Sequence, residues 1–374
     1  MKDYLLVGGS HVEGMGARPS GFFRKLCQGI VDNCNPDMYT YVNGIESKEH
    51  LISLLNITVD HKIIFWFAAV PNSWKLNEEA TLGRIKQLNY RCMLVCSKFN
   101  GTTTEPKYSD AELIGRALAV KANVAIEFKK NEEQKVFSRL FDCLGNCFAA
   151  TYDIEELFNA IKNRLTLLSS VIRWRSTSID EEPANPPQLQ MDAFLNVVHE
   201  YAEVYSVCMA EAAKNGDRFF GNCSFRAPDH FRCLKLFPSM RSDSGIYVSP
   251  RNVDKKKVSS MVLCKLNEEG NGVEFIGERK PSVDTPVQLL LYSYYKNINY
   301  MVHGHTYVET AIITDTVYPC GAVQEAECII RAAPDPFATR LAINIKGHGH
   351  ILMGQCIEDL IGYECDARPV FERC

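Results

Sequence analysis

Hydrophobic and polar positions pattern the two halves of this chain differently. Over residues 1 to about 172, short apolar runs alternate with amphipathic stretches. Tyr4 to Val7 is such a run, ending in Gly8-Gly9-Ser10, and a helix is expected to begin near Pro19-Ser20. Strands are predicted at Met38–Val42, Lys62–Val70, Cys92–Cys96, Val124–Phe128 and Cys147–Ala150. Helices are predicted at Ser47–Leu55 (the serine serving as N-cap), Glu78–Leu88, Asp110–Ala122 and Ile154–Leu168. Such alternation predicts a mostly parallel sheet with helices on both faces, whose ligands would lie at the carboxyl ends of the strands.

Ser176 to Gln190 breaks the pattern: it is polar, acidic and proline-rich, a composition that cannot bury a core and reads as a linker. The expected organisation is therefore a domain over residues 1–175, a linker over 176–190 and a second domain over 191–374. A helix is predicted from Met191 to about Lys214, with Phe194, Val197, Val198, Tyr201, Val204 and Cys208 on one face. Further on come an amphipathic helix after Pro286, a short apolar strand before His303, an apolar strand Leu341–Ile345 and a closing helix Ile357–Cys365. Asp254-Lys255-Lys256-Lys257 reads as a solvated charge run, and Asp315, Glu325 and Glu327 as acids of the surface or of a helix start.

Composition narrows the function classes. A net charge of −4 argues against nucleic acid as a main partner. Fifteen cysteines without a C-x-x-C pair fit reduced thiols better than a disulfide framework. With no run of 18 apolar residues and no signal-peptide layout at the N-terminus, the expectation is a soluble cytoplasmic protein that does not engage a membrane.

Candidate chemistry concentrates in Lys280–Thr306 and Lys346–His350. His303 and His305, at i and i+2 of a strand, project from one face and can address one ion, with Gly304 leaving the other face uncrowded. His348, after the strand Leu341–Ile345, is the candidate third ligand, and Asp284 is a carboxylate one helix upstream of the pair. Three imidazoles with an open fourth position are a donor set for catalytic zinc.

The ordered signatures Gly221-Asn222-Cys223-Ser224-Phe225-Arg226, Tyr247-Val248-Ser249-Pro250, Lys280-Pro281-Ser282-Val283-Asp284-Thr285-Pro286, Val302-His303-Gly304-His305 and Gly347-His348-Gly349 resemble the class II aldolase/adducin superfamily. The family includes L-fuculose-1-phosphate aldolase and L-ribulose-5-phosphate 4-epimerase. The resemblance covers Gly221 to about Ala367 and implies an α/β/α domain with a mainly antiparallel central sheet. It also implies a divalent metal on His303, His305 and His348; zinc is usual, with manganese or another ion as alternatives. Asp284 would be the catalytic acid–base, and Gly221, Asn222, Ser249 and Ser282 would hold substrate phosphate or hydroxyls. His350 would stand behind the ligands or face the substrate. The implied reaction is retro-aldol cleavage of a sugar or sugar phosphate through a metal-stabilised enediolate, or epimerisation by cleavage and recombination, in a homo-oligomer, by resemblance a tetramer.

Departures from the family are specific. Arg251-Asn252 replaces a small residue and glycine at the phosphate loop, so Arg251 could supply a charged contact instead. Val283 and Gln288 replace a serine and a histidine, and no tyrosine follows Tyr363 where the family's proton donor lies. In the first half, Phe67-Ala68-Ala69-Val70-Pro71 and the run Cys92–Phe128 resemble the phosphopantothenate–cysteine ligase fold. The glycine-rich stretch Gly8–Gly16 suggests a Rossmann-like domain able to hold a nucleotide phosphate, although its spacing departs from G-x-G-x-x-G. Two other functions follow from these features: an adducin-like binding module without catalysis, and a nucleotide-dependent ligase housed in the first half.

Overall fold

The structure, a computed structural model, describes residues 4–8, 10–12, 16–19, 21–33, 39–44, 46, 49–50, 63–69, 91–119, 123–180, 186, 188–207, 219–227 and 245–366. It divides into two compact units, Met1–Ser169 and Ser170–Cys374.

In the first unit a seven-stranded sheet runs in the order β4-β1-β5-β6-β7-β8-β9. Its strands are β1 (Tyr4–Gly8), β4 (Tyr39–Asn43), β5 (Ile63–Ala69), β6 (Arg91–Thr102), β7 (Val124–Lys130), β8 (Val136–Asp142) and β9 (Cys147–Thr151). The pairs from β4 through β7 are parallel, as the alternation predicts, but β7-β8-β9 is an antiparallel meander. Strand β8 escapes sequence reading because its apolar residues are interrupted by Ser138 and Arg139. Helices α1 (Gly21–Asn33), α2 (Asp110–Ala119) and α3 (Ile154–Arg173) accompany the sheet. The predicted helix Glu78–Leu88 and most of Ser47–Leu55 fall outside the described residues.

Among the described residues the parallel strands take the doubly wound order 2-1-3-4-5 rather than the 3-2-1-4-5-6 of dinucleotide-binding domains. Here β4, the second parallel strand, lies outside β1, and the chain crosses at once to β5 on the other side. The Rossmann order instead places three successive strands on one side before crossing. The glycine-rich stretch also differs from a phosphate loop, because β2 (Ser10–Val12) and β3 (Gly16–Arg18) pair as an antiparallel ladder between β1 and α1. Gly8 has a packing reason of its own: any Cβ there would run into the Phe23 ring of α1.

The second unit is built on a nine-stranded mixed sheet ordered β10-β14-β13-β12-β11-β15-β18-β17-β16. These strands are β10 (Arg175–Ser178), β11 (Asn222–Arg226), β12 (Ile246–Val248), β13 (Val262–Leu266), β14 (Gly272–Ile276), β15 (Tyr300–Gly304), β16 (Ile312–Ile313), β17 (Arg340–Ile345) and β18 (Gly349–Gly354). Every interior pair is antiparallel, and only β10/β14 and β16/β17, at the two ends, are parallel. Three of the four residues of β10, Ser176–Ser178, come from the start of the stretch read as linker.

Side-chain alternation sends the sheet's apolar residues into two cores. Helix α4 (Gln188–Val207) covers one face with Phe194, Val197, Val198 and Tyr201 against Phe225, Tyr247, Val302 and Leu352. Helices α5 (Thr285–Tyr294) and α6 (Gln324–Ala332) cover the other, with Leu289, Leu291 and Ile329 against Met301, Ile343, Ile351 and Met353. The predicted closing helix shrinks to a 3₁₀ turn, Ile357–Leu360; Gly362 follows at φ +85°, and Cys365 bridges to Val308.

Candidate metal centre

His303 is the fourth residue of β15, in phase with Met301, so it emerges on the face covered by α5 and α6. His305 stands just past the strand end. His348 occupies the tight turn joining β17 to β18, whose amide donates to the Ile345 carbonyl at 2.9 Å, with Gly347 at φ +70°. Pairing of β15 with β18 brings that turn beside the end of β15. Gly349 is needed there: at φ +152°, any Cβ would collide with the Gly304 carbonyl oxygen.

The three rings converge, with centroids 5.0 Å apart for His303–His305, 4.6 Å for His303–His348 and 4.8 Å for His305–His348. All three are buried, and one ligand nitrogen from each lies within 4.8 Å of the others. The Phe220 ring packs on His305 at 4.9 Å between centroids.

Hydrogen bonds assign the nitrogens. His303 Nδ1 lies 2.8 Å from the His350 carbonyl, and His348 Nδ1 lies 2.7 Å from Glu325 Oε1. Those oxygens only accept, so each Nδ1 carries the proton and each Nε2 is left facing the cluster. Among the described residues His303 Nε2, His305 Nδ1 and His348 Nε2 are buried without a close N or O partner, although the Cys320 thiol interacts with the His348 ring. Orphaned buried nitrogens are costly unless something fills the space between them, and a divalent cation would satisfy all three rings at once. Anchoring of the distal ring nitrogen by a carbonyl or carboxylate is what metal-binding histidines use to fix their orientation.

Electrostatics agrees with this geometry at His303 and His305 and runs against it at His348 while no cation is bound. Burial, helped by charge on the neighbouring imidazoles, holds His303 and His305 well below the ordinary histidine value, so both are neutral. Burial also works against a charge on His348, but Cys320 and Glu325 outweigh it and raise that histidine well above the ordinary value. Burial takes His350 down to about 4.

Asp284 is the N-cap residue of α5, placed there by the Pro286 that starts the helix, and it is buried. Its Oδ2 accepts from Asn222 Nδ2 at 2.8 Å and Ser282 Oγ at 3.3 Å, and lies 3.9 Å from His303 Nε2. Asn222 is in turn held by Gln288, which therefore orients the residue that orients Asp284. Oδ1 of Asp284 is buried and has no hydrogen-bond partner among the described residues.

Other sequence-predicted residues take varied positions. Gly221 adopts φ +74° immediately before β11, and Asn222 sits opposite His303 in the sheet. Ser249 is fully buried, and its Oγ accepts from the Cys223 amide at 3.2 Å. Arg251 is solvent-exposed, its Nε donating to the Pro281 carbonyl at 3.2 Å. His350 is buried in β18 with Nδ1 2.8 Å from the Thr306 carbonyl; it supports the centre through its own backbone oxygen.

Two residues depart from sequence reading. Glu325, taken for a surface or helix-start acid, does lie in the first turn of α6 but is only 1% exposed and pairs with His348. Lys255, taken for part of a solvated run, is 3% exposed, whereas Lys256 and Lys257 are exposed. Nothing local marked either one; a buried charge shows only when the packing is known.

Residues 203–332 match the family described as Class II Aldolase and Adducin N-terminal domain. The match spans well under half of the chain; it takes in Asp284, His303, His305 and Glu325 and ends before His348. No curated protein matches. Nothing in the comparisons supports a ligase or Rossmann relationship for the first half.

Proposed function

We propose, on the premise of a class II aldolase/adducin domain with a buried three-histidine cluster, that this protein is a metal-dependent lyase or epimerase. It would act on a sugar or sugar phosphate through retro-aldol cleavage. The carrying observation is the convergence of three buried imidazoles, each offering one ligand nitrogen, beside a buried carboxylate. An adducin-like module without chemistry has no use for such an arrangement.

A divalent ion bound there, zinc by preference, would supply Lewis-acid polarisation of a substrate's carbonyl and hydroxyl oxygens. The chain's own residues would do the rest. Asp284, held through Oδ2 by Asn222 and Ser282, would take a hydroxyl proton on Oδ1 as the carbon–carbon bond breaks, then give it to the enediolate carbon in a lyase or back to the aldehyde oxygen on recombination in an epimerase. Asn222 and Ser282, beside it, would also bind substrate oxygens. Burial would exclude water from the cleaved intermediate. As in the family it resembles, the protein would work as a homo-oligomer.

The test is aldehyde release from a panel of ketose and ketose-phosphate substrates by the zinc-loaded protein. Activity should vanish on chelation, and Asp284→Asn should lower kcat about 100-fold or more while retaining the metal. Full activity in that variant would remove Asp284 from the mechanism, and no turnover across the panel would leave the lyase reading without support.

A further inference from the structure

The first unit holds a cavity of about 570 Å³. Small-molecule sites commonly measure about 300–1,000 Å³. The cavity lies at the carboxyl end of the parallel strands, where sheets of this class take their ligands. Phe128 comes from the end of β7 and Tyr152 from just past β9, and Gly21 and Ile154 are the first residues of α1 and α3.

Its walls are mostly apolar. Val136, Tyr152 and Ile154 are large exposed side chains gathered at this one place, with Phe128 half-buried beside them. Pairing of β7 with β8 sets Phe128 opposite Ser138, so the two project from the same face of the sheet. Ser138 is only 4% exposed, yet its hydroxyl makes no hydrogen bond among the described residues. A buried hydroxyl without a partner is unfavourable, and a ligand that bonds to it removes that cost. The charged side of the cavity is cationic. Gly21 and Lys25 share one face of α1, and the first turn of that helix carries no acidic residue. Lys25 makes no ion pair among the described residues, whereas Lys135, the other cation, is paired with Glu133 at 2.8 Å. A Cβ on Gly21 would meet nothing within 4 Å, so the positive end of α1 borders free space. The start of α3 differs, because Asp153 already caps the Glu155 amide at 2.9 Å.

We propose that this cavity is a binding site for an amphipathic anion, separate from the histidine centre. The apolar body of the ligand lies against Phe128, Val136, Tyr152 and Ile154. Its carboxylate or phosphate head meets Lys25 and the start of α1, and Ser138 supplies the one hydrogen bond within the apolar wall. A sugar is a poor occupant, since its hydroxyls would give up water for walls that return few hydrogen bonds. The site therefore does not depend on the lyase reading, and either can fail without the other.

The experiment is calorimetric titration of the full-length protein with octanoate, octyl phosphate and octanol, for wild type, Lys25→Gln and Val136→Asp. Chelator-treated protein is used, so that neither anion binds through a metal at the histidine centre. Wild type should show one saturable site for at least one anion, with octanol about tenfold weaker or more. The tighter anion identifies the head group as carboxylate or phosphate. Lys25→Gln should lower the affinity for that anion about tenfold and leave octanol unchanged, whereas Val136→Asp should weaken all three ligands. Both side chains are exposed, so both variants should fold, which circular dichroism checks. Failure of either anion to saturate a single site in wild type overturns the proposal. So does octanol binding as tightly as the anions, or equal affinities in wild type and both variants. If a variant does not fold, the ranking of the anions against octanol in wild type still decides.

Discussion

His348 owes its role to Glu325. The carboxylate lies 2.7 Å from Nδ1, fixes the ring, and leaves Nε2 aimed at His303 and His305. Removing the charge while keeping the shape, as in Glu325→Gln, should weaken zinc binding about 10- to 100-fold, measured by competition with a chromophoric chelator. Unchanged affinity would show that Glu325 merely fills space. The histidines also set a pH dependence. His303, His305 and His350 are neutral in the folded state, with values below the ordinary 6.5, that of His350 at about 4. The unfolded chain therefore binds more protons below about pH 6.5. Their contribution to stability is complete above that pH and is lost as pH falls towards 4. His348, raised above 6.5, contributes in the opposite sense, but three groups oppose one. Chelator-treated protein should melt at a lower temperature at pH 5 than at pH 7.5; an equal or higher Tm at pH 5 would contradict the neutral assignment.

Among the elements, the strand pair β15/β18 and the turn before β18 do the positioning. Gly349 is the point of closest approach, and Gly349→Ala would push the turn away from Gly304. The expected cost is about 2–3 kcal/mol, with loss of bound zinc from the folded fraction. Denaturant unfolding with parallel metal analysis checks it, and a variant of native stability that holds zinc would refute the close-packing argument. This level also shows how far the sequence could be read. His303, His305, His348 and Asp284 were legible because spacing within a strand, a turn and a Pro-x-x-Asp-x-Pro helix start constrain side chains locally. Glu325 was not, since its burial depends on where α6 packs against the sheet. Lys255 was hidden by the two exposed lysines that follow it, which make the run look solvated. Strand β8 and the 3₁₀ turn at Ile357–Leu360 were missed or lengthened, because tertiary pairing and Gly362 set their limits.

At the scale of the whole molecule, two compact units share one chain, and the three histidines, Asp284 and Glu325 all belong to the second. Its antiparallel interior agrees with the fold expected from the class II aldolase resemblance, and the family match falls within it. The first unit keeps its parallel strands but not the Rossmann order, so a nucleotide there stays a sequence expectation. Among the described residues no helix is long and apolar enough to cross a membrane. The lyase chemistry argued above depends on the histidine cluster holding a metal. The most direct measurement is divalent-metal content per chain of the purified protein, before and after incubation with zinc, beside a His303→Ala/His305→Ala variant. One zinc per folded chain, absent from the variant, is the predicted result. A native protein that holds no metal and takes up neither zinc nor manganese would contradict it.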